Sequence, residues 1–330
     1  MNNIKKIGLT ALAGSLVAIS AQAAEMTVNG ATLLTYTSED KTEVTGNPMG
    51  MKTNLNFTAS GDVNGYTVSY YNNMSDGMNS ISSARLSIDM GDIGTIAYDN
   101  GSGSGLATLD DKTPTAAEEI WDGLDDTTAG RVGAAGSTGV MNYVNTFEGV
   151  TLNAAARKGS GTSQSDGATS GAGQGAWDFA LTTDGSLLGV DGLAIGLGYG
   201  EAEQGSQTGS NYGEAQHSTA FANYSVGPVT FGYQMSYINS NKLGTDDQDV
   251  AAWGLAFNVN ENLSISYGER DVVFKGAGAS ADVTEKGDGI AVAYTMGSMK
   301  IAGNRNEVSD NDGTAGSNDS MTEIAVSFAF

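Results

Sequence analysis

Seven carboxylates fall between Gly101 and Gly136: Asp110, Asp111, Glu118, Glu119, Asp122, Asp125 and Asp126, with only Lys112 and Arg131 to offset them. Three chemistries use such a set: acid–base catalysis, metal binding, and attraction of cations to a negative lining. Glu118 and Glu119 are the nearest thing to a catalytic pair, but adjacent residues on a helix diverge, which argues against a shared proton. Asp310-Asn311-Asp312-Gly313 hints at a calcium loop. Counting back from Gly313 puts Val308 at the first ligand position, where a side-chain oxygen is required. Loose calcium binding by external acids stays open; no cofactor is expected. His217 is the single histidine and there is no cysteine, so His-cluster and Cys-based metal or redox sites are excluded. The Gly-rich runs near Gly101 and Gly171 do not join a strand to a helix, so they are not phosphate loops. The negative lining is the chemistry that survives.

The acidic stretch lacks period-2 alternation. Pro114 suits a first helical turn, and Thr115 with Glu118 has capping-box spacing. This predicts a short helix with Glu118 and Glu119 near the positive end of its dipole. A connection this long is either functional or disordered. Its bland alternative is a solvated surface loop.

On both sides of the stretch, short segments alternate strictly. Val28, Leu34 and Tyr36 share one face, opposite Thr27, Asn29, Ala31 and Thr35. Leu86 and Ile88 oppose Arg85, Ser87 and Asp89; Phe231, Tyr233, Met235 and Tyr237 line one side of a later segment. The same alternation continues to Ile324, Val326, Phe328 and Phe330. The polar faces carry Lys52, Arg85, Arg157, Arg270, Lys300 and Glu323, too many charges for a dry core. Connections alternate between tight turns and long polar loops, and Pro48, Pro114 and Pro228 all fall in them. These patterns predict an all-β chain: a transmembrane antiparallel β-barrel of about sixteen strands, one side facing lipid and the other water. The acidic stretch, 101–136, is then the long third loop, folded into the lumen. Trp177 and Trp253 suit the aromatic girdle at the lipid boundary.

Lys5 and Lys6, an apolar run to Ser20, and Ala21-Gln22-Ala23 form a secretory signal pattern, so residues 1–23 are expected to be removed and 24–330 to form a single barrel domain. No later segment resembles a membrane-spanning helix. With 38 acids against 15 bases, for a net charge of −23, the chain is a poor partner for nucleic acid.

The whole chain resembles the general bacterial porins of Gram-negative outer membranes, most closely the alphaproteobacterial type. Arg85 to Tyr98 (RLSIDMGDIGTIAY) resembles that family's strand–turn–strand ahead of the constriction loop. Tyr143 to Leu152 (YVNTFEGVTL) resembles the strand pair after it, with Tyr143, Phe147 and Gly149 matching. The final strand, ending at Phe330, resembles the signal read by the barrel assembly machinery. The resemblance implies a homotrimer of barrels in outer membrane lipid, each narrowed by its third loop. It implies no catalysis, only passive diffusion of small hydrophilic solutes and ions through a water-filled channel. The family sets loop acids across the bore from a basic cluster. Here the acids carry over, but the strand entering the loop ends Asp99-Asn100 where the family often has Gly-Arg. Lys52 and Arg85 remain as basic wall candidates, so a cation-preferring pore is expected. The alternative is a substrate-specific outer membrane channel.

Overall fold

The computed structural model describes residues 25–39, 46–75, 80–125, 129–159, 175–204, 213–242, 246–276 and 281–330. The expected signal sequence, most of the 159–175 and 204–213 loops, and Asp126 lie outside the described residues. The chain forms the strands β1 (Glu25–Glu39), β2 (Met49–Val63), β3 (Tyr66–Ser75), β4 (Ser80–Asp89), β5 (Thr95–Asn100), β6 (Thr138–Phe147), β7 (Val150–Arg157) and β8 (Ala176–Asp184). They continue as β9 (Leu193–Ala202), β10 (Ala215–Val226), β11 (Val229–Asn239), β12 (Asp247–Asn258), β13 (Leu263–Lys275), β14 (Val283–Met296), β15 (Met299–Ser309) and β16 (Asp319–Ala329). Each strand pairs antiparallel with its neighbours in sequence, and β1 pairs with β16 to close a barrel. The C-terminal residue completes the seam: Phe330 N–H donates to the Gly30 carbonyl at 2.9 Å, and Gly30 N–H to the Phe330 carbonyl at 2.7 Å. A closed ring leaves no strand edge with unpaired backbone groups, which a lipid-exposed sheet requires.

The alternation inverts the rule for soluble proteins. Leu34, Tyr70, Leu86, Phe231, Met235, Leu255, Ile290 and Phe328 are exposed on the outward face. Asn142, Thr219, Gln234, Ser236, Ser266, Arg270, Asn304 and Asn306 are buried on the inward one. Only a chain whose outer solvent is apolar gains from that arrangement.

Turn chemistry sets the rhythm. Asn64-Gly65 joins β2 to β3 with φ of 56° and 86°, and Glu148-Gly149 joins β6 to β7 with 47° and 85°. Two residues of positive φ match the right-handed twist of the flanking strands. Two-residue turns also join β10 to β11 and β14 to β15. The other end of the barrel carries the longer connections, of which the β5–β6 stretch is the third.

Among its described residues that stretch contains no α-helix, which corrects the helix expected after Pro114. The regular piece among those residues is a 3-10 turn at Gly105–Leu109. The local capping groups are used otherwise. The Thr115 hydroxyl donates to the Glu118 carbonyl at 2.7 Å, and Ala116 N–H goes to Ser266 Oγ on β13 at 2.8 Å. Tertiary bonds to the barrel satisfy the backbone that a helix would otherwise satisfy internally.

Candidate functional site

The described residues of the 101–136 segment bond to side chains of the barrel wall on strands from β4 to β16. Its root is an ion pair: Arg85 on β4 lies 3.2 Å from Asp99, which also accepts from Ser104 Oγ at 2.6 Å. Arg85 further donates to the Gly103 carbonyl at 2.6 Å. The outgoing limb is then taken up by polar wall residues in turn. Asn153 accepts from Gly105 N–H at 2.9 Å, and Asp178 from Leu106 N–H at 3.0 Å. Gln234 binds twice, donating to the Leu109 carbonyl at 2.6 Å and accepting from Lys112 N–H at 2.7 Å. Asn306 donates to the carbonyls of Glu119 and Asp122 at 3.1 and 2.9 Å. At the far end Asp319 accepts from Asp125 N–H at 2.8 Å, and Asn311 donates to the Asp125 carbonyl.

The returning limb is held as firmly. Gln248 accepts from Gly130 N–H at 2.6 Å, and Arg270 donates to the Ala129 carbonyl. Ala135 N–H then reaches the second oxygen of Asp178 at 2.7 Å. One buried carboxylate on β8 thus clasps both limbs. Three apolar contacts reinforce the bonds. Ala129 packs on Val250, Val272 and Phe274; Leu124 packs on Val308 and Met321; Ala135 packs on Val140, Ala155 and Ala176. Leu106 and Leu109 are fully buried, each stabilising the segment by about 1.5–3 kcal/mol.

Trp121 is buried beneath two guanidinium groups, Arg270 at 4.8 Å and Arg131 at 5.5 Å from its ring centre. Arg270 is in turn paired with Glu285 at 3.1 Å. The aspartate-rich turn after β15, whose sequence hints at a calcium loop, is part of this fastening: Asn311 binds the segment and Asp312 N–H donates to Glu285 at 2.9 Å. Among the described residues no three His, Asp or Glu side chains converge as metal ligands would.

The acids of the described segment keep some exposure. Asp110 and Glu118 are exposed; Asp111, Glu119 and Asp122 are partly so. Desolvation pushes the carboxyls of Asp110, Asp111, Glu118 and Asp122 above their ordinary range, and the charge of Glu119 adds to the rise in all four. Nearby bases oppose it: Arg131 and Lys112 at Asp110, Lys300 at Glu118, Arg131 and Lys52 at Asp122. Lys52 is therefore within electrostatic reach of the acids, whereas Arg85 is committed to Asp99 at the root. Asp125 sits apart, at the far end beside Asp319. On β1 to β3 the wall carries a neutral chain, in which Tyr71 Oη donates to Asn56 at 3.0 Å and Asn56 to Asn29 at 3.0 Å, with the charged Lys52 on the same face of β2 as Asn56.

The sequence matches the Gram-negative porin family over residues 8–298. The chain belongs to that family. This porin is an outer membrane β-barrel, and its fold is shared with solved structures of low identity. A trimer form of OmpT, an outer membrane protein of Vibrio cholerae, is 12% identical with a TM-score of 0.65, covering 93% of this chain and 100% of that one. A mutant of the Rh. blastica porin is 14% identical with a TM-score of 0.60, over 93% and 100% of the two chains. The anion-selective porin from Comamonas acidovorans is 13% identical with a TM-score of 0.62, again over 93% and 100%. No curated protein sequence matches the chain.

Sequence reasoning located the porin's acids but missed what fastens them. Asp178, Gln234, Asn306 and Gln248 look like ordinary inward-facing polar residues. Leu106, Leu109, Trp121 and Leu124 are apolar residues without a period, and that excess inside an acidic loop was the available signal for a buried side.

Proposed function

We propose that this porin is a water-filled channel for passive diffusion of small hydrophilic solutes and ions, narrowed by the 101–136 segment and biased toward cations. The observation that carries the reading is that the segment is bonded to the wall while Asp110, Asp111, Glu118, Glu119 and Asp122 keep some exposure. A strap so placed fixes the cross-section without being free to swing out. The bases that act on these carboxylates, Lys52, Lys112, Arg131 and Lys300, are fewer than the acids, so the negative charge is only partly offset. With a Debye length of about 8 Å at physiological salt, such charges still act on an ion crossing a bore of similar radius. The expected homotrimer, with outer membrane lipid as its surroundings, fits the trimer form seen for the V. cholerae neighbour.

Purified protein in planar bilayers is expected to give stepwise, ohmic conductance, and liposomes containing it to swell with small sugars at rates graded by size alone. Absence of conductance removes the channel reading. Strong preference among sugars of equal size replaces general diffusion by a substrate-specific channel.

A further inference from the structure

Glycine inside a strand gives up side-chain packing and costs entropy, so it needs a local reason. Four inward-facing glycines lie on adjacent strands as direct cross-strand partners: Gly232 of β11 opposite Gly254 of β12, Gly254 opposite Gly268 of β13, and Gly268 opposite Gly289 of β14. None of the four has a positive φ, so backbone conformation is not the reason. Space is. A Cβ on Gly232 would crowd Asn223 Oδ1 on β10 and lie 2.4 Å from Pro114 Cδ, and one on Gly254 would lie 2.7 Å from the Pro114 carbonyl oxygen. On Gly268 it would lie 2.9 Å from the Trp253 carbonyl oxygen of the wall and 3.3 Å from Ile120 Cγ2, and on Gly289 it would crowd Asn306 Oδ1 and lie 3.0 Å from Ile120 Cβ. The row is a trough across the wall, and Pro114 to Ile120 lies in it. This is the part of the segment that carries Glu118 and Glu119.

We propose that the Gly232–Gly254–Gly268–Gly289 row sets the width of the bore, by letting the acid-bearing part of the segment sink against the wall. The inference rests on the channel reading above and concerns positioning residues only. A methyl group in the trough has nowhere to go on the wall side, where strand pairing is continuous. The segment must move the other way, into the open cross-section. Overpacking of this kind shifts backbone rather than compressing it. The charges stay the same, so narrowing alters size exclusion before it alters the sign of selectivity.

The test compares Gly254→Ala and the milder Gly268→Ala with Gly287→Ala. Gly287 is also on β14, but a Cβ there meets only ordinary contacts, at 3.7 Å and beyond. Conductance and the size limit for neutral sugars are read only on barrels that keep the heat-dependent gel mobility of folded protein. Gly254→Ala and Gly268→Ala are expected to lose conductance and exclude the larger sugars, with the cation-to-anion ratio retained and Gly287→Ala unchanged. Adding Ile120→Ala to Gly268→Ala is expected to restore part of the conductance, because it removes the segment atom the new methyl would meet and leaves only the Trp253 carbonyl of the wall. If Gly254→Ala does not fold, the Gly268→Ala pair decides. Wild-type conductance in folded Gly254→Ala or Gly268→Ala, an equal loss in Gly287→Ala, or no restoration by Ile120→Ala overturns the proposal. A wild-type barrel without conductance fails the channel reading instead.

Discussion

Asp178 shows how much one side chain can organise. Its two oxygens accept from Leu106 and Ala135, residues on opposite limbs of the segment. Asparagine has nearly the same shape but offers one acceptor and one donor, so one of the two amides would face an N–H. Asp178→Asn is therefore expected to cost about 1.5–3 kcal/mol, the worth of a hydrogen bond to a charged group. Urea unfolding in detergent, with amide exchange at Leu106 and Ala135, reads the loss. An unchanged midpoint with unchanged exchange contradicts the clasp. Nothing in the sequence marks Asp178, since it sits on an inward parity position like many others. Its partners are 72 and 43 residues away along the chain. The acids Asp110, Asp111, Glu118, Glu119 and Asp122 were legible because density of like charge is a local property. Their separation from Asp125 depends on where the segment turns back, and no short motif encodes that.

Strands and turns were the most legible level. Period-2 alternation is strict because each residue faces either lipid or the interior, and a slip of one would reverse every side chain. The element that failed was the helix after Pro114. Capping-box spacing is a local preference, and Ser266, Gln234 and Asn223 outcompete it by bonding the same stretch of backbone. At the β6–β7 turn, Glu148 holds φ of 47°, in a primed turn that favours Asn at that position. Replacing an exposed residue strained in this region recovers part of the roughly 1 kcal/mol that left-handed backbone costs. Glu148→Asn is expected to raise the unfolding midpoint without altering conductance. A lower midpoint would mean that the Glu148 side chain has a stabilising partner.

The barrel as a whole joins the two levels. Sixteen strands close a ring, and the described parts of the acidic segment are bonded to side chains on its strands. Architecture and closure could be read from alternation, loop rhythm and the terminal Phe330. The fastening of the segment could not, because it depends on glycine spacing and buried amides across strands far apart in sequence. Charge on the segment has a pH signature. Neutral carboxyls attract no cations, and burial holds Asp110, Asp111, Glu118 and Asp122 above the ordinary carboxylate range. Cation preference should thus be full near neutrality. It should fade on acidification at a pH higher than that at which free Asp and Glu titrate.

The decisive measurement is the zero-current potential across a bilayer with a salt gradient, for the wild type and for Asp110→Asn/Glu118→Gln/Asp122→Asn. The account predicts a cation-selective potential at neutral pH that shrinks toward zero in the triple variant while the channel stays open. An anion-selective wild type, or a triple variant with the wild-type potential, would contradict it.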